Sequence, residues 1–223
     1  MQEFTKSHNM KINNDKSKVM VFNHSRNYQF PPEIGFESES KLEYVRQAKI
    51  LGVIVTDNLK WSENTKYITS KAMSRIWCLR RMKKLGLDNE VIFDVYFKEI
   101  RSVLEFGIPV WNGALTEEDS YKIESVQKKV LKIILQEDYT SYENACIKLN
   151  IDSLKSRRES ICLKFAKKEY SKDDSMFTKF IAKRPTRSNK NVLVQETFCH
   201  SERFYNSSIP YLSRLLNSDA KRK

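Results

Sequence analysis

Between Asn64 and Leu87 the chain carries seven basic residues (Lys66, Lys71, Arg75, Arg80, Arg81, Lys83, Lys84) and no acidic one. Two further stretches share the bias. Residues 155–168 hold six basic residues against one acidic, and residues 179–190 hold five against none. Together these stretches exceed the net charge of +12, so the rest of the 223-residue chain is net acidic. Clustered cations of this kind pair with phosphates, arginine through two parallel hydrogen bonds. Trp77 sits inside the first stretch, where an indole can stack on a base or sugar while neighbouring cations hold phosphate. The plainer reading is a solvated helix surface, with Trp77 and Met73 packed on a neighbouring helix. The partner implied is a polyanion, nucleic acid first and an anionic membrane surface second.

Other chemistries find less support. The four cysteines (78, 146, 162 and 199) are widely spaced, without a CxxC pair, and only three histidines accompany them. A zinc site or disulfide framework is therefore not expected, and reduced thiols in an intracellular protein are. Cys199-His200 has no further ligand nearby in sequence. Asp173-Asp174 lies between Lys172 and Ser175 with no apolar strand around it, which argues against a catalytic carboxylate pair. Arg157 and Arg158 can hold phosphate or cap an acidic edge between helices. Trp61 and Trp111 stand beside helix boundaries and read as core anchors.

The elements that must position these residues are mostly helices. Five Gly and five Pro are few for this length, while 12 Phe, 10 Tyr and 3 Trp demand a core. Val19–Phe22 and the β-branched run Ala48–Thr56 predict strands, and residues 23–41, with Pro31, Pro32 and Gly35, predict a loop. Helices are predicted from Glu63 to Leu85 after a Ser62 cap, and from Asn89 to Phe106 after an Asp88 cap. A third runs from a Thr116/Asp119 capping box to Gln136, followed by Ser141–Leu149, a Ser153-capped helix to Tyr170, and Ile209–Leu216. Residues 171–200 read as irregular. At about 100° per residue, Ile68, Ala72, Ile76 and Leu79 form one stripe of the first helix. Lys66, Trp77, Arg80, Arg81 and Lys84 lie opposite. The second helix is apolar around most of its circumference, with a polar strip of Asp94, Lys98, Arg101 and Glu105 that reads as an exposed salt-bridged edge. The third buries Ile123, Val126, Val130, Ile133 and Ile134 and turns Lys122, Lys128, Lys129 and Lys132 outward. The longest aliphatic run, Ile50–Val55, is broken by Gly52 and cannot span a bilayer, and Met1–Lys11 lacks the apolar region of a secretory signal.

Several blocks carry a resemblance. Met10-Lys-Ile-Asn-Asn-Asp-Lys-Ser-Lys-Val-Met-Val-Phe22 resembles motif D of non-LTR retrotransposon (LINE-type) reverse transcriptases, and Leu51-Gly-Val-Ile-Val-Thr-Asp-Asn-Leu-Lys-Trp61 resembles the block at their primer grip. Ile100-Arg-Ser-Val-Leu-Glu-Phe-Gly-Ile-Pro-Val-Trp111 and Ile123-Glu-Ser-Val-Gln-Lys-Lys-Val-Leu-Lys-Ile-Ile134 are similar to thumb-region signatures of that family. Leu154-Lys-Ser-Arg-Arg158 fits its L-x-x-R-R pattern. Ser201–Asn217, with Ser208-Ile-Pro210 and Arg214-Leu-Leu-Asn217, resembles its C-terminal end.

The resemblance implies an α+β fold, predominantly α, with a small N-terminal β element from the end of a palm and then a helical thumb bundle. It divides the chain into 1–60 (palm remnant with grip hairpin), 61–170 (thumb) and 171–223 (a partly irregular C-terminal extension). The family's catalytic Tyr/Phe-x-Asp-Asp would precede motif D. The expectation is therefore a nucleic-acid-binding part that performs no catalysis alone, whose Mg²⁺ would belong to an upstream palm, with no cofactor of its own. Lys16 aligns with the motif D lysine, a proton donor to pyrophosphate in the family; in this chain it becomes a phosphate contact or a solvated turn lysine, beside Lys18. Gly52 permits close backbone approach at a primer grip, or marks a bulge. The expected partners are an RNA–DNA or DNA primer–template duplex and a palm-and-fingers half supplied in trans. No membrane is expected, and nucleus and cytoplasm are both compatible. The alternatives are a polymerase completed by its missing half, a helical protein-interaction scaffold, and a gene fragment without a role.

Overall fold

The computed structural model describes Phe4 and residues 7–10, 13, 16–22, 35–36, 40–172, 174–177, 193–196 and 198–221. The fold is α+β and predominantly α, as the sequence predicts. The chain separates into two compact units, Met1–Glu63 and Asn64–Lys223.

Among the described residues the first unit holds three two-stranded pairs. β1 (Lys18–Val19) runs parallel to β4 (Glu43–Tyr44), and β2 (Gly35–Phe36) is antiparallel to β3 (Ser40–Lys41). The predicted strand at Val19–Phe22 is shorter and begins one residue earlier. The segment predicted as a loop contains the β2–β3 pair, while residues 23–34 lie outside the described residues. The predicted strand Ala48–Thr56 is instead a hairpin, β5 (Gln47–Ile50) against β6 (Val53–Thr56), with Ile50 opposite Val53. Its two-residue turn has Leu51 at φ 47° and Gly52 at φ 92°. Two successive positive φ values give a turn whose twist matches the strands it joins. Gly52 is therefore a turn glycine and not a bulge.

The second unit is helical. α1 (Ser62–Lys84) buries Asn64, Thr65, Ile68, Ala72, Ile76 and Leu79, including the whole predicted stripe. It ends where Gly86, at φ 75°, donates to the Lys83 carbonyl (3.1 Å) and Leu87 donates to that of Met82 (3.2 Å). This closure satisfies the last carbonyls and needs a residue free to adopt a left-handed conformation. α2 runs through Asn89–Val95, a π-helical stretch Tyr96–Arg101, and Ser102–Leu104. Asp88 occupies the cap position in extended conformation but makes no side-chain cap hydrogen bond, so the predicted cap is positional only. Ile92, Tyr96, Ile100 and Leu104 are all fully enclosed. A strict spacing of four drifts about 40° per step around a straight α-helix. The wider π turn absorbs this drift and keeps the four side chains on one line.

Gly107, at φ 69°, ends this helix and leads into α3 (Ile108–Trp111). Trp111 is fully buried, its indole N–H donating to the Phe106 carbonyl at 3.0 Å, and Trp61 is also buried, so both anchor cores. α4 (Glu117–Leu135) starts at Thr116, whose hydroxyl accepts from the Asp119 N–H at 3.1 Å. α5 (Tyr142–Lys148) and α6 (Leu154–Tyr170) are capped by Ser141 and Ser153. α7 (Glu202–Tyr205) and α8 (Ser208–Lys221) complete the unit. α8 starts near the predicted point but runs beyond Leu216. α6 is the hub, packing against α3, α4 and α8. Within the described residues no helix is long and apolar enough to cross a membrane.

Candidate nucleic-acid interface

α1 presents its cations outward. Lys66, Trp77, Arg80, Arg81 and Lys84 are exposed on the side away from Ile68, Ala72, Ile76 and Leu79, and Lys71 is exposed on a flank. The row from Lys66 to Lys84 spans 18 residues, or about 27 Å at 1.5 Å per residue. That is about eight phosphates of one strand at 3.4 Å each. Arg75, on the opposite side, is paired with the Glu99 carboxylate at 3.0 Å, and Lys83 donates to Asn89 Oδ1 at 2.9 Å. Among the described residues no ion pair engages Lys66, Lys71, Arg80, Arg81 or Lys84.

α4 extends this face. The Lys129 ammonium lies 3.8 Å from the sulfur of Met73, which shares the α1 row. The contact brings the outward lysines of α4 beside the outward cations of α1. Lys122 and Lys132 stand on the same side of α4 as Lys129, at helical spacings of seven and three. They are not equivalent. Lys122 is paired with Glu118 at 2.7 Å and lies 3.9 Å from Asp119, so its charge is locally offset. Hydrogen bonding to Glu118 raises the Lys122 pKa, and the same bond lowers that of Glu118. Lys132 keeps an exposed ammonium 5.2 Å from the Tyr139 ring, and Lys128 stands 5.2 Å from the rings of Tyr121 and Tyr142.

Arg157 and Arg158 belong to another arrangement. Arg157 makes two hydrogen bonds to the Glu105 carboxylate (2.5 and 3.1 Å), which raise its pKa. Arg101 approaches the same carboxylate at 3.8 Å and lies over the Phe97 ring at 3.9 Å. The outer half of the predicted polar strip, Asp94 and Lys98, is an exposed pair at 2.7 Å, but Arg101 and Glu105 are largely covered. Arg158 is only 2% exposed. Its guanidinium donates to Asn112 Oδ1 (3.0 Å) and Ser120 Oγ (2.7 Å). Nη1 faces Glu124 Oε2 at 3.8 Å, a Coulombic approach too long for a hydrogen bond, and has no hydrogen-bond acceptor. Burial lowers the Arg158 pKa against the opposing pull of Glu124. Both guanidiniums are engaged by side chains from elsewhere in the fold, Arg157 by Glu105 and Arg158 by Asn112 and Ser120.

The network continues inward. Glu124 accepts from the first backbone N–H groups of α6, those of Leu154 (2.9 Å) and Lys155 (3.1 Å), and also from the Tyr142 hydroxyl. A carboxylate at a helix N-terminus satisfies orphan donors and complements the helix dipole. Gln127 accepts from Tyr96 and donates to the Tyr142 hydroxyl and the Asp152 carbonyl, both at 2.9 Å. Burial pushes the Tyr96 and Tyr142 pKa values far above the ordinary tyrosine range. The polar residues of three sequence blocks, at Ile100–Trp111, Ile123–Ile134 and Leu154–Arg158, thus meet in one internal network that fastens α2, α4 and α6.

In the first unit, Lys18 is paired with Glu43 at 2.8 Å across the β1–β4 pair. Lys16 is exposed, and its backbone N–H donates to Asn13 Oδ1 at 3.1 Å. Asp174 is exposed, and Asp173 and the basic stretch 179–190 lie outside the described residues. Within the described residues no group of three or more His, Cys, Asp or Glu side chains is placed to hold a metal ion. Cys162 is buried, and Cys78 and Cys146 are partly covered, as small packing residues would be.

Sequence reasoning missed the Met73–Lys129 contact and the partners of Arg158. Both join residues about 40 to 60 positions apart, beyond any local periodicity. No family model matches the chain, and no curated protein or solved structure does so either.

Proposed function

We propose that this chain binds nucleic acid through the backbone, as the grip-and-thumb part of a reverse transcriptase of the non-LTR retrotransposon type, and contributes no catalytic carboxylates of its own. The observation that carries this reading is the α1 face, with Lys66, Arg80, Arg81 and Lys84 exposed in a row and Lys129 brought alongside. Contacts from such a face go to phosphates and groove shape and read little sequence. The motif blocks suggest the family, and the shared network of Glu105, Glu124, Gln127, Arg157 and Arg158 supports reading three of them as parts of one folded unit. A palm-and-fingers half supplied in trans would bring the metal-binding carboxylates and complete a polymerase.

The test is a titration of the full chain with a DNA duplex at two salt concentrations. Five phosphate contacts imply a log–log slope of about −4.5, so a fourfold rise in salt should weaken binding about 500-fold. With Arg80, Arg81 and Lys84 all changed to Ala, two contacts remain, and the same rise should weaken binding only about 12-fold. Salt-independent binding, or an unchanged slope in the triple variant, removes the reading.

A further inference from the structure

Trp77 is the member of the α1 face that cannot neutralise a phosphate. Of the three tryptophans, Trp111 is fully buried and Trp61 is 9% exposed, whereas Trp77 is 67% exposed. No ring or cation contact engages its indole among the described residues. One turn before it lies Met73, against which Lys129 rests. One turn after it lie Arg80 and Arg81, at about −60° and +40° from the row through Trp77. The indole therefore offers an open π-face inside a ring of cations.

A fully paired duplex does not need that face. Its bases are stacked on one another, and its outer surface offers phosphates and sugar edges, which the arginines and lysines can satisfy alone. A free aromatic plane beside phosphate-binding cations suits an unpaired base, whose π-face is open whatever its identity. We propose that the α1 face takes nucleic acid carrying an unpaired base, a single-stranded stretch or the overhang of a duplex, with Trp77 stacked on the base and Arg80 and Arg81 on the adjoining phosphates. This rests on the nucleic-acid reading above and adds which form of nucleic acid the site prefers.

The experiment compares the full chain with its Trp77→Ala and Trp77→Phe variants on four DNA probes of equal phosphate count, followed by fluorescence anisotropy. The probes are a blunt duplex, a duplex with a single-stranded overhang, a single strand, and the overhang duplex with abasic sugars in the overhang. Stacking of one base contributes about 5- to 150-fold in affinity. The wild-type chain should favour the overhang and the single strand over the blunt duplex by a factor in that range and lose the preference on the abasic probe. Trp77→Ala should bind every probe as the blunt duplex is bound, with the salt slope intact, and Trp77→Phe should keep most of the preference. Trp77 is 67% exposed and anchors no core, so a loss of folding in Trp77→Ala would itself overturn the assignment. Equal binding of all four probes by the wild-type chain also overturns it, as does a Trp77→Ala effect confined to self-association. Failure of the underlying reading looks different: no probe is then bound in a salt-dependent way.

Discussion

Removing the guanidinium of Arg158 separates the two roles a cation can have in this molecule. The side chain is 2% exposed and donates to Asn112 Oδ1 at 3.0 Å and Ser120 Oγ at 2.7 Å. Hydrogen bonds from a charged donor are worth about 1.5–3 kcal/mol each, and breaking a buried charged arrangement costs about 3–5 kcal/mol. Arg158→Ala loses both bonds, leaves Glu124 without its nearest cation and opens a cavity. Arg158→Met keeps the apolar volume, so the loss that persists in it is the polar part alone. With a urea dependence of about 2 kcal/mol per molar, a loss of about 4 kcal/mol moves the unfolding midpoint down by about 2 M. Equilibrium urea unfolding followed by far-ultraviolet circular dichroism reads this directly. The DNA salt slope of Arg158→Met, measured on the folded protein, should match that of the wild-type chain, since a buried guanidinium cannot reach a phosphate. A midpoint within about 0.5 M of wild type would refute the network as a structural device, given the 1–3 kcal/mol per molar range of urea slopes. A salt slope reduced by about one unit would show that Arg158 contacts phosphate after all.

Two further outcomes test the packing around α6 and α8. A Cβ on Gly113 would meet Tyr211 Cγ at 2.6 Å and the Asn206 carbonyl at 2.7 Å, so Gly113→Ala should destabilise by about 1–3 kcal/mol through displacement of α8, seen as a lowered thermal midpoint. Burial pushes the Cys162 thiol up to about 12, whereas an unfolded thiol titrates near about 8.5. The folded chain then holds a proton that the unfolded chain has lost. Stability falls as pH rises between those values, by up to about 1.4 kcal/mol per pH unit, and the contribution is fully present below them. Cys162→Ala should flatten the decline of stability measured by urea unfolding from pH 9 to pH 11, and an unchanged decline would contradict it.

Helices were legible where a single period governs them. The apolar stripe of α1, its closing Gly86 and the caps at Thr116 and Ser153 are each decided by residues within a few positions of one another. The β5–β6 hairpin reads as one strand in the sequence because its turn is Leu51-Gly52, without the Asn or Asp that marks such turns, although Gly52 carries a positive φ. The π stretch of α2 is written in the exact fourfold spacing of Ile92, Tyr96, Ile100 and Leu104, a period between those of α-helix and π-helix that an apolar count alone passes over. The fate of Arg157 and Arg158 was not legible, because Glu105, Asn112 and Ser120 lie 38 to 52 residues away along the chain.

That last difference decides where the positive field sits. The basic stretch 155–168 reads like the α1 stretch in sequence, yet Arg157 is bound to Glu105, Arg158 is enclosed, and Lys167 is paired with Asp219 at 2.8 Å. These three of its six cations are matched because acidic and polar residues elsewhere in the fold are brought to them, while Lys155, Lys164 and Lys168 are exposed. α1 holds a single carboxylate, Glu63 in its first turn, and none from Asn64 to its end, and among the described residues only its rear cation, Arg75, is paired with one from a neighbouring helix. Two stretches of similar composition therefore differ in how much of their charge the fold meets. One fastens helices from inside; the other leaves a cationic face with an open indole on the surface. Exposed, uncompensated charge of one sign raises the free energy of the isolated fold through self-repulsion and is relieved by an anion. That asymmetry, more than the total of +12, is the physical reason to look for the partner at α1.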